Sequence, residues 1–435
     1  MQGNSRNSDA GPSADGGLDA PILPGDEADG SFNDASVQYR DMTSSAYWLT
    51  YDLGAVSATA KGYQGAAFDG RYVYLAPFTH GTKYDGLTTR YDTQMSFDGS
   101  TSWTTFDTAS VTPGAQGFSG AVFDGRYIYL VPNNNGSPDG LVARYDTTET
   151  FATATSWSTC DVTTVDTGAV GYSGGTFDGR YVYLVPSAAG LVVRYDTQGP
   201  FSNAGSWAKF DATTLNAQAE YYQGALFDGQ YVYLVPAWAG ATNALVLRFN
   251  TAAVFEDASS WSTFDTTMLS SSAKGFAGGA FDGRYVYLTP YLNGDDYDGL
   301  VVRYDSKASF STAPSWSVFD LTTVNPGAKG FGGAAFDGRF IYFLPYADGP
   351  SATSPTFDGL VARYDTLADF SSTTSWSTFN TTSLNSGAGG FSGAAFDGRY
   401  LYLVPDYNGQ YDGVVARFDA KFPASLPAWY SGSFF

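Results

Sequence analysis

Few side chains in this sequence could do redox, metal or nucleophilic chemistry. The 435 residues include one histidine, His80, and one cysteine, Cys160. One cysteine allows neither an internal disulfide nor a cysteine-based metal cluster, and one histidine allows neither a multi-histidine metal site nor a conventional histidine relay. Cys160 stands where most copies of an internal repeat carry phenylalanine, so we expect a buried, unreactive thiol. His80 is expected to be a loop residue.

Acidic residues are the remaining candidates for ion binding. Asp295, Asp296 and Asp298 lie close together, and carboxylate oxygens are ligands that calcium prefers, although their spacing does not match an EF-hand loop. Calcium is therefore the one cofactor that the sequence suggests. More than half of the 43 acidic residues recur at fixed places in the repeat. We interpret these recurring residues as turn caps and partners of arginine.

A second set of charged and polar residues shares one position, just before a glycine and an aromatic residue. Lysine occupies it three times, and the other copies differ, which gives the set Lys61, Gln116, Val170, Lys274, Lys329 and Gly389, with Glu220 near the corresponding place. Three lysines in an acidic protein could hold an anionic group such as a carboxylated sugar. Solvated surface charge is the alternative interpretation.

The overall charge limits the partners. The 22 basic and 43 acidic residues give a net charge of −21, which disfavours nucleic acid and anionic membrane surfaces, since both need clustered lysine and arginine. No apolar run approaches the roughly 18 residues of a membrane span, and the sequence begins without the apolar core of a signal peptide. We expect no nucleic-acid partner and no membrane insertion.

The elements that position these residues belong to a sevenfold repeat. Phe-Asp-Gly-Arg/Gln recurs with its phenylalanine at Phe68, Phe123, Phe177, Phe227, Phe281, Phe336 and Phe396. Aromatic and aliphatic residues flank each copy, and the Asp-Gly pair suits a tight turn, so each copy is predicted to be a β-hairpin. A third strand ends in Arg-Tyr/Phe-Asp/Asn and a fourth carries Ser-Trp-x-x-Phe-Asp. Four strands in roughly 50 to 60 residues predict the blade of a β-propeller.

The spacing predicts a closed ring. Each of the seven fourth-strand tryptophans, from Trp48 to Trp376, precedes the next hairpin phenylalanine by 20 residues, but no fourth strand follows Arg417 in register. The strand at Trp48 lacks a blade of its own, so we expect it to complete the last blade. The fold class is therefore all-β, a seven-bladed propeller over residues 46–421, with a disordered acidic linker at 1–45 and a C-terminal tail at 422–435.

The repeat resembles the kelch repeat. Asp298 to Asp305, then Ser315-Trp316, Gly330 to Gly333 and Asp337 to Tyr342 follow its order, whereas Val131-Pro132 and its equivalents replace the kelch double glycine. The resemblance implies a scaffold used mostly for binding, with some enzymes among its relatives. The copper oxidases of that fold use two histidines and a cysteine-linked tyrosine, which His80 and Cys160 cannot supply.

The linker resembles the flexible spacer that follows the lipidated cysteine of bacterial surface lipoproteins. Its residues are mainly Gly, Pro, Ser and Asp without a hydrophobic period. The resemblance implies a secreted or outer-surface protein, lipid-anchored in its natural precursor.

Binding residues are predicted on the loops between second and third strands. The interval from hairpin phenylalanine to third-strand arginine varies from 17 to 27 residues, and loops on a rigid scaffold carry recognition. These loops contain the candidates Phe78, His80, Lys83, Asn134, Trp238, Tyr291, Asn293, Tyr346, Asp406, Tyr407 and Asn408. Aromatic rings beside amides suit a sugar or a protein surface. Turn residues with ordinary exposed aromatics are the alternative.

The sequence therefore predicts a non-catalytic module that binds carbohydrate or protein through its variable loops. One alternative is a hydrolase, lyase or epimerase that acts on an anionic sugar in the central funnel, using loop carboxylates and Lys61, Lys274 or Lys329. Another is a structural protein that assembles with copies of itself. Buried, convergent acids with shifted pKa values would favour the enzyme.

Overall fold

The computed structural model describes residues 37–81, 83–238, 243–294, 296–427 and 433–434, all within the unit Val37–Phe435. Seven blades of four antiparallel strands form a ring, which confirms the predicted all-β propeller. In blades 1 to 6 the strands are hydrogen-bonded in chain order from the first strand to the fourth, and in blade 7 the fourth strand comes from the start of the chain. None of the helices in the described residues is long and apolar enough to cross a membrane.

Blades 1 to 7 are numbered from the first strand after residue 60. The first strands are Tyr63–Phe68, Phe118–Phe123, Tyr172–Phe177, Tyr222–Phe227, Phe276–Phe281, Phe331–Phe336 and Phe391–Phe396. The second strands are Tyr72–Pro77, Tyr127–Pro132, Tyr181–Pro186, Tyr231–Pro236, Tyr285–Pro290, Phe340–Pro345 and Tyr400–Pro405. The third strands are Leu87–Asp92, Leu141–Asp146, Leu191–Asp196, Leu245–Asn250, Leu300–Asp305, Leu360–Asp365 and Val414–Asp419. The fourth strands are Trp103–Asp107, Trp157–Asp161, Trp207–Asp211, Trp261–Asp265, Trp316–Asp320, Trp376–Asn380 and, in blade 7, Trp48–Asp52.

Short 3₁₀ helices flank every fourth strand. Those before it are Ser45–Tyr47, Ser100–Ser102, Ala154–Ser156, Ala204–Ser206, Ala258–Ser260, Ala313–Ser315 and Thr373–Ser375. Those after it are Leu53–Ala55, Thr108–Ser110, Val162–Thr164, Ala212–Thr214, Thr266–Met268, Leu321–Thr323 and Thr381–Ser383. The side chain that ends each fourth strand caps the helix after it, as when Asp107 Oδ1 accepts from the amide of Ala109 at 2.9 Å.

The Asp-Gly pair turns the chain between first and second strands. In blade 1, Asp69 Oδ1 accepts hydrogen bonds from the amides of Arg71 and Tyr72, and Oδ2 accepts from the hydroxyl of Tyr74 at 2.7 Å. Gly70 has a φ of +100°, which a residue with a Cβ adopts at a cost. One short polar side chain therefore fixes the turn and satisfies a buried tyrosine.

The two ends of the chain close the ring in blade 7. The fourth strand Trp48–Asp52 pairs with Val414–Asp419, so that Trp48 lies opposite Phe418 and Tyr51 opposite Val415. This confirms the closure predicted from the spacing. The sheet of blade 7 is thus built from residues that are far apart in sequence, and the stability of the closed ring depends on their pairing.

Two further pairings involve the chain ends. Gln38–Tyr39, inside the predicted linker, pairs with Lys421–Phe422 at the end of the predicted propeller. Ser433–Phe434, inside the predicted tail, pairs with Ala66–Ala67 of blade 1 and with Ala394 of blade 7. These partners belong to first strands, so the backbone of Ser433–Phe434 lies between the innermost strands of two blades. Residues 1–36 of the predicted linker lie outside the described residues.

Arginines on the third strands link each blade to the next. The guanidinium of Arg90 lies 4.0 Å from the ring centre of Tyr72 in its own blade and 4.5 Å from that of Phe151 in blade 2. Arg90 Nη1 also donates to the hydroxyl of Tyr145, at 3.3 Å. Each buried contact of this kind contributes on the order of 1–2 kcal/mol. These arginines are therefore part of the framework.

Stacked aromatic rings make a second link between blades, with one exception. Phe210 of blade 3 stacks on Trp261 of blade 4, with ring centres 4.5 Å apart. Cys160 takes the phenylalanine position in blade 2 and lies in the same core cluster as Trp207 of blade 3. Cys160 is buried and unpaired, and burial raises the pKa of its thiol. Trp207 therefore lacks the stacking partner that the other blades provide.

We expect Cys160→Phe to stabilise the protein by about 1 kcal/mol, because the new ring would stack on Trp207 as Phe210 does on Trp261. Cys160→Ala should instead lower the stability by about 1 kcal/mol. Thermal unfolding of both variants beside the wild type measures the difference. A lower melting temperature for Cys160→Phe than for Cys160→Ala would show that the site cannot hold a ring.

Candidate functional site

The antiparallel strand order divides the connections between two faces. The face we call the loop face carries the loops between second and third strands together with the connections from one blade to the next. The opposite face, the hairpin face, carries the Asp-Gly turns and the loops between third and fourth strands. All the length variation seen in the sequence therefore falls on the loop face, where the binding residues were predicted.

Seven residues surround the axis on the loop face, each directly after the proline that ends a second strand. We call this set the funnel ring: Phe78, Asn133, Ser187, Ala237, Tyr291, Tyr346 and Asp406. Two neighbouring pairs are in contact: Asn133 Nδ2 lies 3.5 Å from Ser187 Oγ, and the rings of Tyr291 and Tyr346 have centres 5.9 Å apart. The funnel ring is thus aromatic and acidic on one side and small and polar on the other.

The aromatic side continues outward as a chain of ring contacts that we call the aromatic arc. Consecutive ring centres lie 4.8–5.9 Å apart along Tyr297, Tyr291, Tyr346, Phe357, Tyr407 and Tyr411 in blades 5 to 7. Phe78 and Tyr84 form a further pair in blade 1, at 5.5 Å. All except Tyr297 are half-buried, so the aromatic arc presents ring surface on the loop face.

Glycines at the start of the first strands hold part of this arc in place. Gly62 has a φ of +68°, and a Cβ there would lie 1.8 Å from the carbonyl oxygen of Thr79 and 3.0 Å from the ring of Tyr411. The loop and the tyrosine of blade 7 can therefore approach the backbone of blade 1 only because the residue is glycine.

Asp406 is the acidic member of the funnel ring. Its side chain is buried, with 2% of the residue exposed, and Oδ2 accepts a hydrogen bond from Gln64 Nε2 at 3.2 Å. Oδ1 has no hydrogen-bond partner among the described residues. Burial raises the pKa of Asp406 to about 7, against the opposing effect of the Gln64 amide. Burial also raises the pKa values of Tyr346 and Tyr411, and the Asp406 carboxylate adds to the effect at both.

Other buried carboxyls on this face belong to the repeat. Asp298, Asp358 and Asp412 each cap the start of a third strand, as when Asp358 Oδ1 accepts from the amide of Leu360 at 2.6 Å. Burial raises the pKa to about 6 for Asp298, about 7 for Asp358 and about 6 for Asp412. Each of these groups lies in a different blade and is hydrogen-bonded to the backbone at the start of its own third strand.

The structure brings together the predicted aromatic residues. Phe78, Tyr291 and Tyr346 belong to the funnel ring, and Tyr407 belongs to the aromatic arc. Trp238 packs against the same apolar cluster as Tyr291 and Tyr346. The aromatic residues proposed from the variable loops of blades 4 to 6 therefore lie in one cluster, whereas their role in binding remains a prediction.

The predicted polar loop residues mostly hold the loops themselves. The contacts are His80 Nδ1 with Asp85 Oδ2 at 3.0 Å, Asn134 Oδ1 with the amide of Gly136 at 2.9 Å, Asn408 Nδ2 with the carbonyl of Gly387 at 2.9 Å, and Asn293 with Asp298. Lys83 is exposed. Hydrogen bonds to their own loops, or to a neighbouring connection for Asn408, leave these amides less free for a ligand.

The lysine positions lie at the first-strand starts, outside the funnel ring. Lys61 is close enough to Asp412, and Lys329 to Asp358, to lower the pKa of the carboxyl, although burial outweighs this effect. Lys274 is half-buried. Two of the three lysines therefore face a buried acid.

The remaining positions of that set are spread around the ring. Gln116 Nε2 lies 3.5 Å from the carbonyl oxygen of Asn135, and Glu220 lines a cleft in blade 4 beside Tyr221. Tyr221 has a φ of +61° where the other blades have glycine. These residues do not form one site with the aromatic arc.

The described residues contain no group of three histidine, cysteine or acidic side chains placed to hold a metal ion. Asp295, one of the three residues predicted to bind calcium, lies outside the described residues. Asp296 is exposed, and Asp298 Oδ1 accepts from the amides of Gly299 and Leu300. The calcium site remains a prediction.

Sequence reasoning missed Gln64, Tyr84 and Tyr411. Gln64 is the second residue of a first strand, where the other blades carry Ser, Gln, Ala or Gly, and this variation could have indicated it. Tyr84 and Tyr411 each precede a repeated Asp-Gly, of which only the aspartate was considered. Comparing one position across the seven repeats would have found all three.

Comparisons with known proteins identify the fold. No protein-family model matches the chain, and no curated protein is similar in sequence. Solved structures with the same fold include a streptogramin B lyase (11% identity, 86% of this chain and 97% of that chain covered, TM-score 0.56). A catalytically inactive virginiamycin B lyase from Staphylococcus aureus with quinupristin has 10% identity, 86% and 98% coverage, and a TM-score of 0.55. YCF48 bound to a D1 peptide has 12% identity, 86% and 96% coverage, and a TM-score of 0.51. At these identities the likeness concerns the fold alone, and the kelch resemblance remains a prediction.

Proposed function

We propose that the protein is a non-catalytic binding module that holds a carbohydrate against the aromatic arc at the mouth of the funnel. The observation that carries this proposal is the placement of a chain of half-buried aromatic rings beside one buried carboxyl and its amide partner, Asp406 and Gln64. On the opposite side, the members of the funnel ring are the small residues Asn133, Ser187 and Ala237.

The aromatic arc suits the apolar faces of sugar rings. Tyr346, Phe357 and Tyr407 are neighbours in contact and half-buried, so their positions are fixed while part of each ring stays accessible. Rigid rings lose little conformational entropy when a ligand binds. A chain of several rings would allow an oligosaccharide to occupy more than one ring at once.

Asp406 and Gln64 would add directional contacts. Asp406 is too deeply buried to touch a ligand without movement, but its Oδ2 accepts from Gln64 Nε2. This hydrogen bond fixes the carboxamide of the half-buried Gln64, whose oxygen is then available to a sugar hydroxyl. Asp406 would thus act as a positioning residue for Gln64.

The proposal predicts that Tyr346→Ala/Tyr407→Ala binds at least tenfold more weakly than the wild type, since each ring would contribute on the order of 1 kcal/mol. A glycan array identifies the ligand, and titration calorimetry with that glycan gives the affinities. Phe422→Ala, which removes an exposed aromatic ring near the chain end on the hairpin face, is the matched control. Equal binding by the double variant, or a peptide ligand in place of any glycan, would contradict the proposal.

An enzyme that acts on the same ligand is the second candidate, because burial raises the pKa of Asp406 to about 7, and a movement that uncovers this carboxyl would let it act as a general acid near neutral pH. The likeness to lyases of the same fold adds to this candidate without deciding it. Incubating the bound glycan with the protein and analysing it by mass spectrometry separates the two. Cleavage or elimination products that disappear in Asp406→Asn would establish the enzyme, whereas an unchanged glycan agrees with binding alone.

A further inference from the structure

Blade 4 departs from its six sister blades on the hairpin face. In those six, an arginine that follows the Asp-Gly turn forms an ion pair with the aspartate that ends the third strand: Arg71 with Asp92, Arg126 with Asp146, Arg180 with Asp196, Arg284 with Asp305, Arg339 with Asp365 and Arg399 with Asp419. Blade 4 carries Gln230 and Asn250 at these positions, so both charges are absent.

The substitution changes the surroundings of one aromatic ring. In the six sister blades, the turn arginine lies 4.7–5.0 Å from the centre of the ring that begins the second strand, as with Arg71 and Tyr72 at 4.9 Å. The third-strand arginine approaches the same ring from its own strand. In blade 4 the equivalent ring, Tyr231, has only Arg248, at 4.2 Å, among the described residues.

A cleft of about 500 Å³ opens beside this ring, between blades 4 and 5. Tyr231, Gln230, Arg248 and Lys307 line it, together with four hydroxyl groups, from Ser262, Ser306, Ser309 and Ser311. Asp228 also lines the cleft, but its oxygens already accept from the amides of Gln230 and Tyr231 and from the hydroxyl of Tyr233. Ser262 Oγ likewise accepts from Arg248 Nε and donates to the carbonyl of Arg248. The groups left for a ligand are a tyrosine ring, three serine hydroxyls, an amide and two cations.

The cations give the cleft a positive charge in a protein of net charge −21. Arg248 donates through Nε to Ser262 Oγ at 3.2 Å and through Nη1 to Tyr304 Oη at 3.3 Å, so its Nη2 has no hydrogen-bond partner among the described residues. Lys307 is exposed; of the other blades only blade 7 has a lysine at this position, Lys421, and that one is buried. Asn250 removes the carboxylate that would otherwise repel an anion here.

We propose that this cleft is a second binding site, separate from the aromatic arc, that takes an acidic saccharide. The carboxylate of the ligand lies between Arg248 and Lys307, and its sugar ring packs on Tyr231 where the sister blades place a guanidinium. The serine hydroxyls and the Gln230 amide hydrogen-bond the sugar hydroxyls.

Glucuronic acid and glucose form a matched pair of probes, since they differ only in the carboxylate. Ligand-observed NMR and titration at pH 7 and low salt should show glucuronate binding with a dissociation constant on the order of 1 mM, and glucose binding at least tenfold more weakly. The affinity for glucuronate should fall as salt is added. No binding of glucuronate at about 20 mM, or equal binding of the two sugars, would overturn the proposal.

Two variants assign the site. Gln230→Arg/Asn250→Asp rebuilds the ion pair of the sister blades, so it should abolish glucuronate binding while leaving the melting temperature equal to or above that of the wild type. Lys307→Ala should weaken binding about fivefold, whereas the matched change Gln198→Ala, at the same position of blade 3, should leave it unchanged. Unchanged binding by the rebuilt variant would overturn the proposal. So would binding that is lost only in Tyr346→Ala/Tyr407→Ala, because it would place glucuronate in the funnel.

Discussion

Trp48→Ala is expected to lower the free energy of unfolding by about 3–5 kcal/mol, the range found when a large buried aromatic ring is removed. Trp48 is buried in the strand that closes the ring, and its Nε1 donates to the carbonyl of Met42 at 2.9 Å. Its ring stacks on Phe379 of blade 6 at 5.1 Å and packs against Phe418 of blade 7 at 4.8 Å. Chemical denaturation of the variant and the wild type measures the loss.

Trp48→Ala should also loosen the strand pair that closes the propeller, which the same change in another blade should not do. Trp261→Ala in blade 4 removes an equivalent ring, stacked on Phe210 at 4.5 Å, from a blade made of continuous chain. Both variants should lose comparable stability. Only Trp48→Ala should accelerate hydrogen exchange along Trp48–Asp52 and Val414–Asp419, because no covalent connection keeps those two strands together. If hydrogen exchange along these two strands is the same in both variants, closure of the propeller depends on contacts other than those of the Trp48 side chain.

The fold was predictable because one local sequence pattern, typical of a four-stranded blade, occurs seven times. Each copy has an Asp-Gly turn, a third strand that ends in Arg-aromatic-Asp/Asn and a fourth strand that begins with tryptophan, so one ambiguous copy is corrected by the others. The missing fourth strand after Arg417 and the extra one at Trp48 then leave one arrangement, which the pairing of Tyr51 with Val415 confirms.

Features that occur once were not predictable in this way. The pairing of Gln38–Tyr39 with Lys421–Phe422 and that of Ser433–Phe434 with Ala66–Ala67 have no counterpart elsewhere in the chain. Two-residue strands carry too few side chains for an alternating pattern to appear. Their positions follow from tertiary packing, which the local sequence does not contain.

The candidate site was predictable only in part, for a related reason. Tyr291, Tyr346 and Tyr407 were found because they are aromatic residues in loops of variable length on a rigid scaffold. The hydrogen bond between Gln64 and Asp406 joins residues 342 positions apart, across the closure of the ring. Asn134 and Asn408 were predicted to bind a ligand. In the structure the Asn134 side chain instead bonds to its own loop, and that of Asn408 to a neighbouring connection. Residue type alone does not distinguish the two roles.

The pH dependence of stability should show the buried carboxyl in the funnel ring. Because burial raises the pKa of Asp406 to about 7 in the folded protein, the folded state holds one proton more than the unfolded state between about pH 4 and pH 7. The unfolding free energy therefore falls as the pH rises from about 4 to about 7, by up to about 1.4 kcal/mol per pH unit for this one group. The stabilisation due to Asp406 is greatest at the acid end of this window and is lost as the pH rises through 7. Asp358, Asp298 and Asp412, with pKa values raised by burial, act in the same direction.

Below about pH 4 the stability should instead fall as the pH falls. The pairing with Arg180 lowers the pKa of Asp196, and this stabilisation is lost when Asp196 becomes protonated.

Asp406→Asn isolates the contribution of this one group. The amide has nearly the same shape, its oxygen can still accept from Gln64 Nε2, and it does not ionise. From pH 5 to pH 7 the unfolding free energy of the wild type should therefore fall more steeply than that of the variant, by about 1 kcal/mol per pH unit, so that the variant gains relative stability as the pH rises. Denaturant titrations at pH 5, 6, 7 and 8 measure both slopes, with Asp296→Asn as the control that removes an exposed carboxyl from the same face. Parallel slopes for Asp406→Asn and the wild type would mean that Asp406 stays ionised in the folded protein. Its carboxylate would then carry a negative charge and accept the hydrogen bond from Gln64 Nε2 at every pH from 5 to 8.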